Sequence, residues 1–224
     1  VSLVIKKPYI QATASASVVA KGDKLYLRGT AEGDPSKGVA IWILGKNKVL
    51  YATESVNDDM SFEHEIKSAT TSSLYAGQYF VVVQHPMYNN EFDVYPDNPL
   101  EPQYVYGSYP TRNSQIFKLG GSGALKGTDA AEALIQAINS PMVDDTYTKM
   151  QFLVEEPKIT INPIGEQAVG SKFEITGTTN LMYDDNDLLV EVTSSSFKPT
   201  DKSQSGEFSG ATGTVKVQQG TDGL

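Results

Sequence analysis

The chain has 224 residues and a formal charge of −9, with 27 Asp or Glu against 18 Lys or Arg. At roughly 150 residues per domain this allows one or two domains, and the acidic balance disfavours phosphate backbones and anionic lipid, so nucleic acid and membrane surfaces are not expected partners. Cysteine is absent, which excludes disulfides, thiolate metal sites and cysteine nucleophiles together.

In chain order, short β-prone runs separated by turn signals predict strands over residues 10–19, 24–29, 39–44, 49–53, 61–66 and 78–84, with turns at 33–35 and 57–59. The most apolar run, Tyr79 to Val83, stops at Gln84, far short of the roughly 20 residues of a spanning helix. From Pro86 to Pro110 the chain carries five prolines together with Tyr88, Tyr95, Tyr104, Tyr106 and Tyr109. Proline removes ladder donors, so this stretch is expected to be a long ordered loop, and loops of that length are often functional.

A strand-like run at 116–119 and a Gly-Gly-Ser-Gly segment lead into one predicted short helix. Asp129 and Glu132 have capping-box spacing, Ala130, Ala133, Leu134, Ala137 and Ile138 supply an apolar face, and Asn139-Ser140-Pro141 ends the run. Alternation over 147–154 predicts the strand that closes the first module, so that residues 86–145 form an insertion within it.

Gly22-Asp23-Lys24-Leu25-Tyr26-Leu27-Arg28-Gly29-Thr30 reappears 148 residues later as Gly170-Ser171-Lys172-Phe173-Glu174-Ile175-Thr176-Gly177-Thr178. Pro8-Tyr9-Ile10 and Ala40 to Leu44 likewise have counterparts in Pro157-Lys158-Ile159 and Leu188 to Val192. Three runs in one order at one offset imply a duplicated module. The reading is all-β: two tandem immunoglobulin-like sandwiches, 1–156 and 157–224, the first bearing the Tyr/Pro-rich loop and the helix. Strands are predicted in the second at 158–162, 172–178, 188–193 and 211–217, but its 68 residues fall below the roughly 100 of such a sandwich. It is therefore expected to be incomplete, its missing strands supplied by sequence beyond Leu224 or by another chain.

The blocks 78–87, 128–134, 144–149, 173–180 and 194–200 resemble an uncharacterised domain family found in large, secreted, surface-layer-like cell-surface proteins of methanogenic archaea. The resemblance implies an extracellular location in a proteinaceous envelope, with copies of the chain itself or other envelope proteins as partners. It carries no catalytic residues across.

No enzyme motif emerges from the residues themselves. His64 and His85 sit in strand-like surroundings without metal spacing, no G-x-S-x-G elbow occurs, and alternation sets His64 on the face opposite Glu63 and Glu65. Acidic turns are better chemical candidates. Asp184, Asp185 and Asp187 lead as a calcium site, with smaller sets at 57–59 and 144–145, against the plainer reading of solvated turns. The five tyrosines suit a subunit or sugar contact, or else pin the loop to its own module. No N-glycosylation acceptor is present. The expectation is a non-enzymatic envelope component that assembles through β-edges and the tyrosine-rich loop, with surface adhesion or carbohydrate or protein binding as the alternative.

Overall fold

Residues 8–33, 35–168, 170–183, 185–193 and 210–220 are described by the computed structural model, which divides into two units, Val1–Glu156 and Pro157–Leu224. The described residues form mostly strands, with two helices.

In the first unit, β1 (Ile10–Ala14), β3 (Leu25–Ala31) and β6 (Ser61–Ile66) make an antiparallel sheet in the order β1-β3-β6. A second sheet runs β2 (Val18–Ala20), β11 (Thr146–Glu155), β7 (Gly77–His85), β4 (Val39–Gly45), β5 (Val49–Glu54). Its one parallel pairing is β2 with β11. Leu25, Leu27 and Phe62 of the first sheet meet Ile41, Val81 and Phe152 of the second in one apolar core. Alternation explains this placement, since every second side chain of a strand faces the same way.

The predicted strand over 10–19 is two strands in two different sheets. The chain crosses between them at Ser15–Ser17, where Ser15 N–H still bonds Tyr26 C=O at 2.8 Å. A short helix that the sequence pattern does not signal, α1 (Ser68–Ser73), joins β6 to β7. Its serines and threonines lack apolar periodicity. What holds it is buried Thr71, whose hydroxyl donates to Asp23 C=O at 2.6 Å and accepts Gly22 N–H at 3.2 Å.

β4 is buried along its whole length and does not alternate. The cause is a second core on the outer face of the five-stranded sheet, where Trp42, Leu44 and Val82 pack under the insertion. That insertion is more regular than the long ordered loop predicted from its prolines. It holds β8 (Val94–Pro96), β9 (Tyr104–Gly107) and β10 (Ser114–Lys118) as an antiparallel sheet, then α2 (Gly127–Ile138). Pro96 ends β8, and Pro99, Pro102 and Pro110 lie in the connections, so proline costs the ladder little.

α2 begins at Gly127 behind Lys126, with no side-chain cap, so Asp129 lies in the first turn and the expected capping box does not form. Its buried face is Ala130, Ala131, Leu134 and Ile138. Ala131 is buried there, whereas Ala133 is only partly so.

In the second unit, β12 (Ile159–Ile161) pairs with β13 (Gly177–Thr179), and β14 (Asp187–Thr193) with β15 (Gly210–Lys216), each antiparallel. The predicted strand over 172–178 contracts to β13. Phe173 and Ile175 stay 49% and 41% exposed, with no core beneath them among the described residues to hold that stretch in a ladder.

Candidate functional site

The insertion sheet sorts its residues by alternation. Val94, Pro96, Val105 and Gly107 are buried, while Tyr95, Tyr104 and Tyr106 are only partly so. Val94 and Val105 join the core over Trp42. Tyr95 lies directly opposite Tyr106 across β8 and β9, and the rings of Tyr104 and Tyr106 are 6.4 Å apart. Lys118, paired with Tyr104 in β10, holds its ammonium 5.9 Å from the Tyr104 ring. Tyr95 Oη donates to Asn113 Oδ1 at 2.8 Å and accepts Asn113 N–H at 3.1 Å. Three of the five predicted tyrosines thus share one sheet face. Tyr88 and Tyr109 lie in the flanking connections, 66% and 48% exposed.

Beneath this insertion a chain of buried polar groups runs from the sheet to the loops. Gln84 is wholly buried on β7. Its Oε1 accepts Trp42 Nε1–H at 2.9 Å, and its Nε2 donates to Val94 C=O at 3.0 Å and to Asp145 Oδ2 at 2.5 Å. The same Asp145 oxygen accepts Asp93 N–H at 2.9 Å. Asp144, next in line, accepts Tyr88 N–H at 3.1 Å and Asn89 Nδ2 at 2.8 Å, and its own N–H donates to Asp93 Oδ2 at 3.3 Å.

Asp93, Asp144 and Asp145 bring one carboxylate oxygen each within 4.8 Å of one another. Asp93 and Asp145 are each only 8% exposed. Burial is the main reason the Asp145 carboxyl ionises only near pH 7; the bonds from Gln84 and Asp93 N–H work against it, while the charges of Asp93 and Asp144 add to it. Burial likewise raises Asp93.

Of the sequence candidates for calcium, Asp184 lies outside the described residues, and Asp185 and Asp187 are exposed, the latter opening β14. The set at 144–145 gains a third carboxylate, Asp93, that sequence reasoning passed over. No local motif marks Asp93; only the fold brings it across 51 residues to Asp144.

The histidines do separate jobs. His85, wholly buried at the end of β7, accepts Met87 N–H on Nδ1 at 2.9 Å and so fixes where the insertion departs; burial lowers its pKa. His64 Nδ1 lies 2.7 Å from Glu54 Oε1, beside an open groove lined by Ile43, Leu50 and Tyr51. Glu63 and Glu65 are engaged instead with Arg28 and, at 3.4 Å, with Lys24. These residues therefore form no acid–base cluster with His64.

Comparison of the chain with protein-family models and with characterised proteins finds no match.

Proposed function

We propose that this chain is a non-enzymatic structural component of an archaeal cell envelope, built of two tandem immunoglobulin-like modules and associating through sheet edges and the tyrosine-bearing insertion. Several features support the immunoglobulin-like reading of the first unit. Its strands follow the order expected of such sandwiches, β1-β3-β6 against β2-β11-β7-β4-β5, with β2 pairing in parallel with β11, the last strand of the unit. Tyr79, near the start of β7, sends its hydroxyl back to Tyr75 C=O at 3.1 Å, in the manner of a tyrosine corner. The insertion then occupies the connection before the last strand, at the end of the sandwich where such domains carry binding loops.

The observation that carries the tandem reading is the register of the second unit. Ile10↔Ala31 and Ala12↔Gly29 in β1–β3 have their counterparts in Ile159↔Thr179 and Ile161↔Gly177 in β12–β13. The turn before β3 repeats too: Asp23 N–H bonds Ala20 C=O around Gly22 at φ 99°, and Ser171 N–H bonds Ala168 C=O around Gly170 at φ 85°. By the same offset β14 falls on β4, a strand that in the first unit is buried along its whole length.

In the second unit Leu189 is 71% exposed, and Ile161 and Val215 are exposed as well. Apolar strands left open in this way favour association by strand addition. The resemblance to surface-layer-like proteins supports the location. Sedimentation analysis of the full chain over a wide concentration range, with electron microscopy of the concentrated sample, tests the reading. Sheets, filaments or discrete oligomers are expected; a chain that stays monomeric throughout sinks it.

A second reading, a surface module that binds glycan or polypeptide, is favoured by one observation, the Tyr95, Tyr104 and Tyr106 face beside Lys118. Stacking on such rings suits sugars and extended peptides alike. Glycan-array binding abolished by Tyr104→Ala and Tyr106→Ala, in a protein that does not self-associate, selects it.

A further inference from the structure

We propose that Asp93, Asp144 and Asp145 bind a calcium ion at the junction between the insertion and β11. Their oxygens converge within 4.8 Å from two chain segments far apart in sequence. Three like charges so close repel, and the two buried ones have also lost most of their water. No lysine, arginine or histidine pairs with any of the three among the described residues. A cluster of this kind is stable only if protons or a cation neutralise it.

The geometry of Asp145 distinguishes these alternatives. Its Oδ2 takes two donors, from Gln84 and Asp93. Its Oδ1 is sealed from solvent and has no hydrogen-bond partner at all. A buried carboxylate oxygen left bare is costly, whereas the same oxygen on a metal is satisfied. Tyr88 N–H and Asn89 Nδ2 donate to the Asp144 carboxylate, and Asp144 N–H donates to Asp93 Oδ2, so the other two carboxylates are held in place before any ion arrives.

The ligand class follows from the donor set, which is oxygen only and anionic, suited to a hard cation rather than to zinc or copper. Calcium fits better than magnesium. It tolerates irregular geometry and accepts six to eight oxygens, which loop carbonyls and water complete, while magnesium demands near-octahedral geometry and keeps most of its hydration shell rather than taking several protein carboxylates. The ion would tie the start of β8 to the start of β11, and so seat the tyrosine-bearing sheet on Trp42. This inference stands apart from the assembly reading, because a monomer that binds calcium here satisfies it while defeating that reading.

The test uses the full chain stripped with EDTA, titrated with CaCl2 by calorimetry and melted with and without the ion. One calcium per chain is expected, with a Kd between about 10⁻⁶ and 10⁻³ M and a melting temperature that rises with calcium, as it must for a ligand of the native state. Asp144→Asn, at a half-buried position, should weaken binding at least about tenfold. Asp185→Asn with Asp187→Asn should leave it unchanged. Terbium luminescence, sensitised by Tyr88 beside Asp144, reads occupancy independently of stability and should fall in Asp144→Asn. The proposal is overturned if no binding occurs up to about 10 mM calcium, if Asp144→Asn binds as wild type does, if the 185/187 double variant abolishes binding, or if magnesium competes equally.

Discussion

Gln84 Nε2 lies 2.5 Å from Asp145 Oδ2 in a part of the protein where Gln84 is wholly buried and Asp145 nearly so, and the same amide accepts the indole N–H of Trp42 at 2.9 Å. One residue of β7 therefore satisfies a donor on β4, a backbone carbonyl on β8 and a carboxylate ahead of β11. Removing it strands the first two and leaves the carboxylate oxygen with Asp93 N–H alone. Gln84→Leu, close in volume, is expected to cost about 2–4 kcal/mol, since each buried polar group left without a partner costs about 1–3 kcal/mol and some of that relaxes. Urea unfolding with an unchanged m-value checks this; a loss below about 1 kcal/mol would mean that water replaces the amide.

Asp145 also sets a pH dependence in calcium-free protein. Its carboxyl ionises near 7 when folded, mainly because it is buried, and near 4 when unfolded. Between those limits the folded chain keeps a proton that the unfolded chain releases. Stability from this group therefore falls as pH climbs from about 4 to about 7 and is level above that. Buried His85 acts oppositely, since its lowered pKa costs stability as pH drops below about 6.5, and Asp93, raised by burial, acts in the same sense as Asp145, so the wild-type curve alone mixes the three. The difference between wild type and Asp145→Asn isolates the carboxyl. In EDTA the variant should gain on wild type steadily through that window, by a few kcal/mol at neutral pH at most. A flat difference would show that Asp145 is solvated.

Much of the first unit is legible in sequence because local pattern and burial agree there. The alternation of Lys149, Gln151 and Leu153 against Phe152 and Val154 gives β11, and the unbroken apolar run from Val39 to Leu44 gives β4. What the run conceals is why it is unbroken, namely that Trp42 needs a cover made by residues 94–138. The small sheet of the insertion is hidden because its prolines read as ladder breakers, although Pro96 only ends a strand and Pro99, Pro102 and Pro110 lie in connections. α1 is hidden because Thr71 secures it by a tertiary hydrogen bond rather than by an apolar stripe. The acidic cluster was half visible as Asp144-Asp145; Asp93 carries no local signal, and a turn of adjacent carboxylates such as 184–187 looks more like a metal site on paper than residues that converge only after folding.

Tyr79 offers a test of the proposed corner. Its ring is buried against Phe152, with centroids 5.4 Å apart and planes within 10°, while its hydroxyl bonds both Tyr75 C=O and Tyr75 N–H at 3.1 Å. Tyr79→Phe keeps the stack and loses only those bonds. A cost of about 1 kcal/mol is expected, and amide exchange at Tyr75 should speed while that of Val82 in the middle of β7 keeps pace with global unfolding. No change at Tyr75 would mean that the hydroxyl does not hold the turn.

Gly29 and Gly177 carry the duplication down to single atoms. A Cβ on Gly29 would overlap the carbonyl oxygen of Gln11 and the Phe62 ring, and a Cβ on Gly177 would overlap the carbonyl oxygen of Thr160. Gln11 and Thr160 are themselves matched positions, paired with Thr30 and Thr178. Both glycines are thus required by close backbone approach across the same strand pair, not by an unusual φ. Gly29→Ala should destabilise the first unit by roughly 2 kcal/mol or more, because the overlap is with backbone and an aromatic ring that have little room to yield. Gly177→Ala should leave the first unit untouched and raise amide exchange at Asn162 at least about tenfold, since that N–H closes the β12–β13 ladder on Thr176 at 2.9 Å. If Gly177→Ala were silent there, the pairing of the second unit would not be constrained as β1–β3 is, and the case for a repeated module would rest on sequence alone.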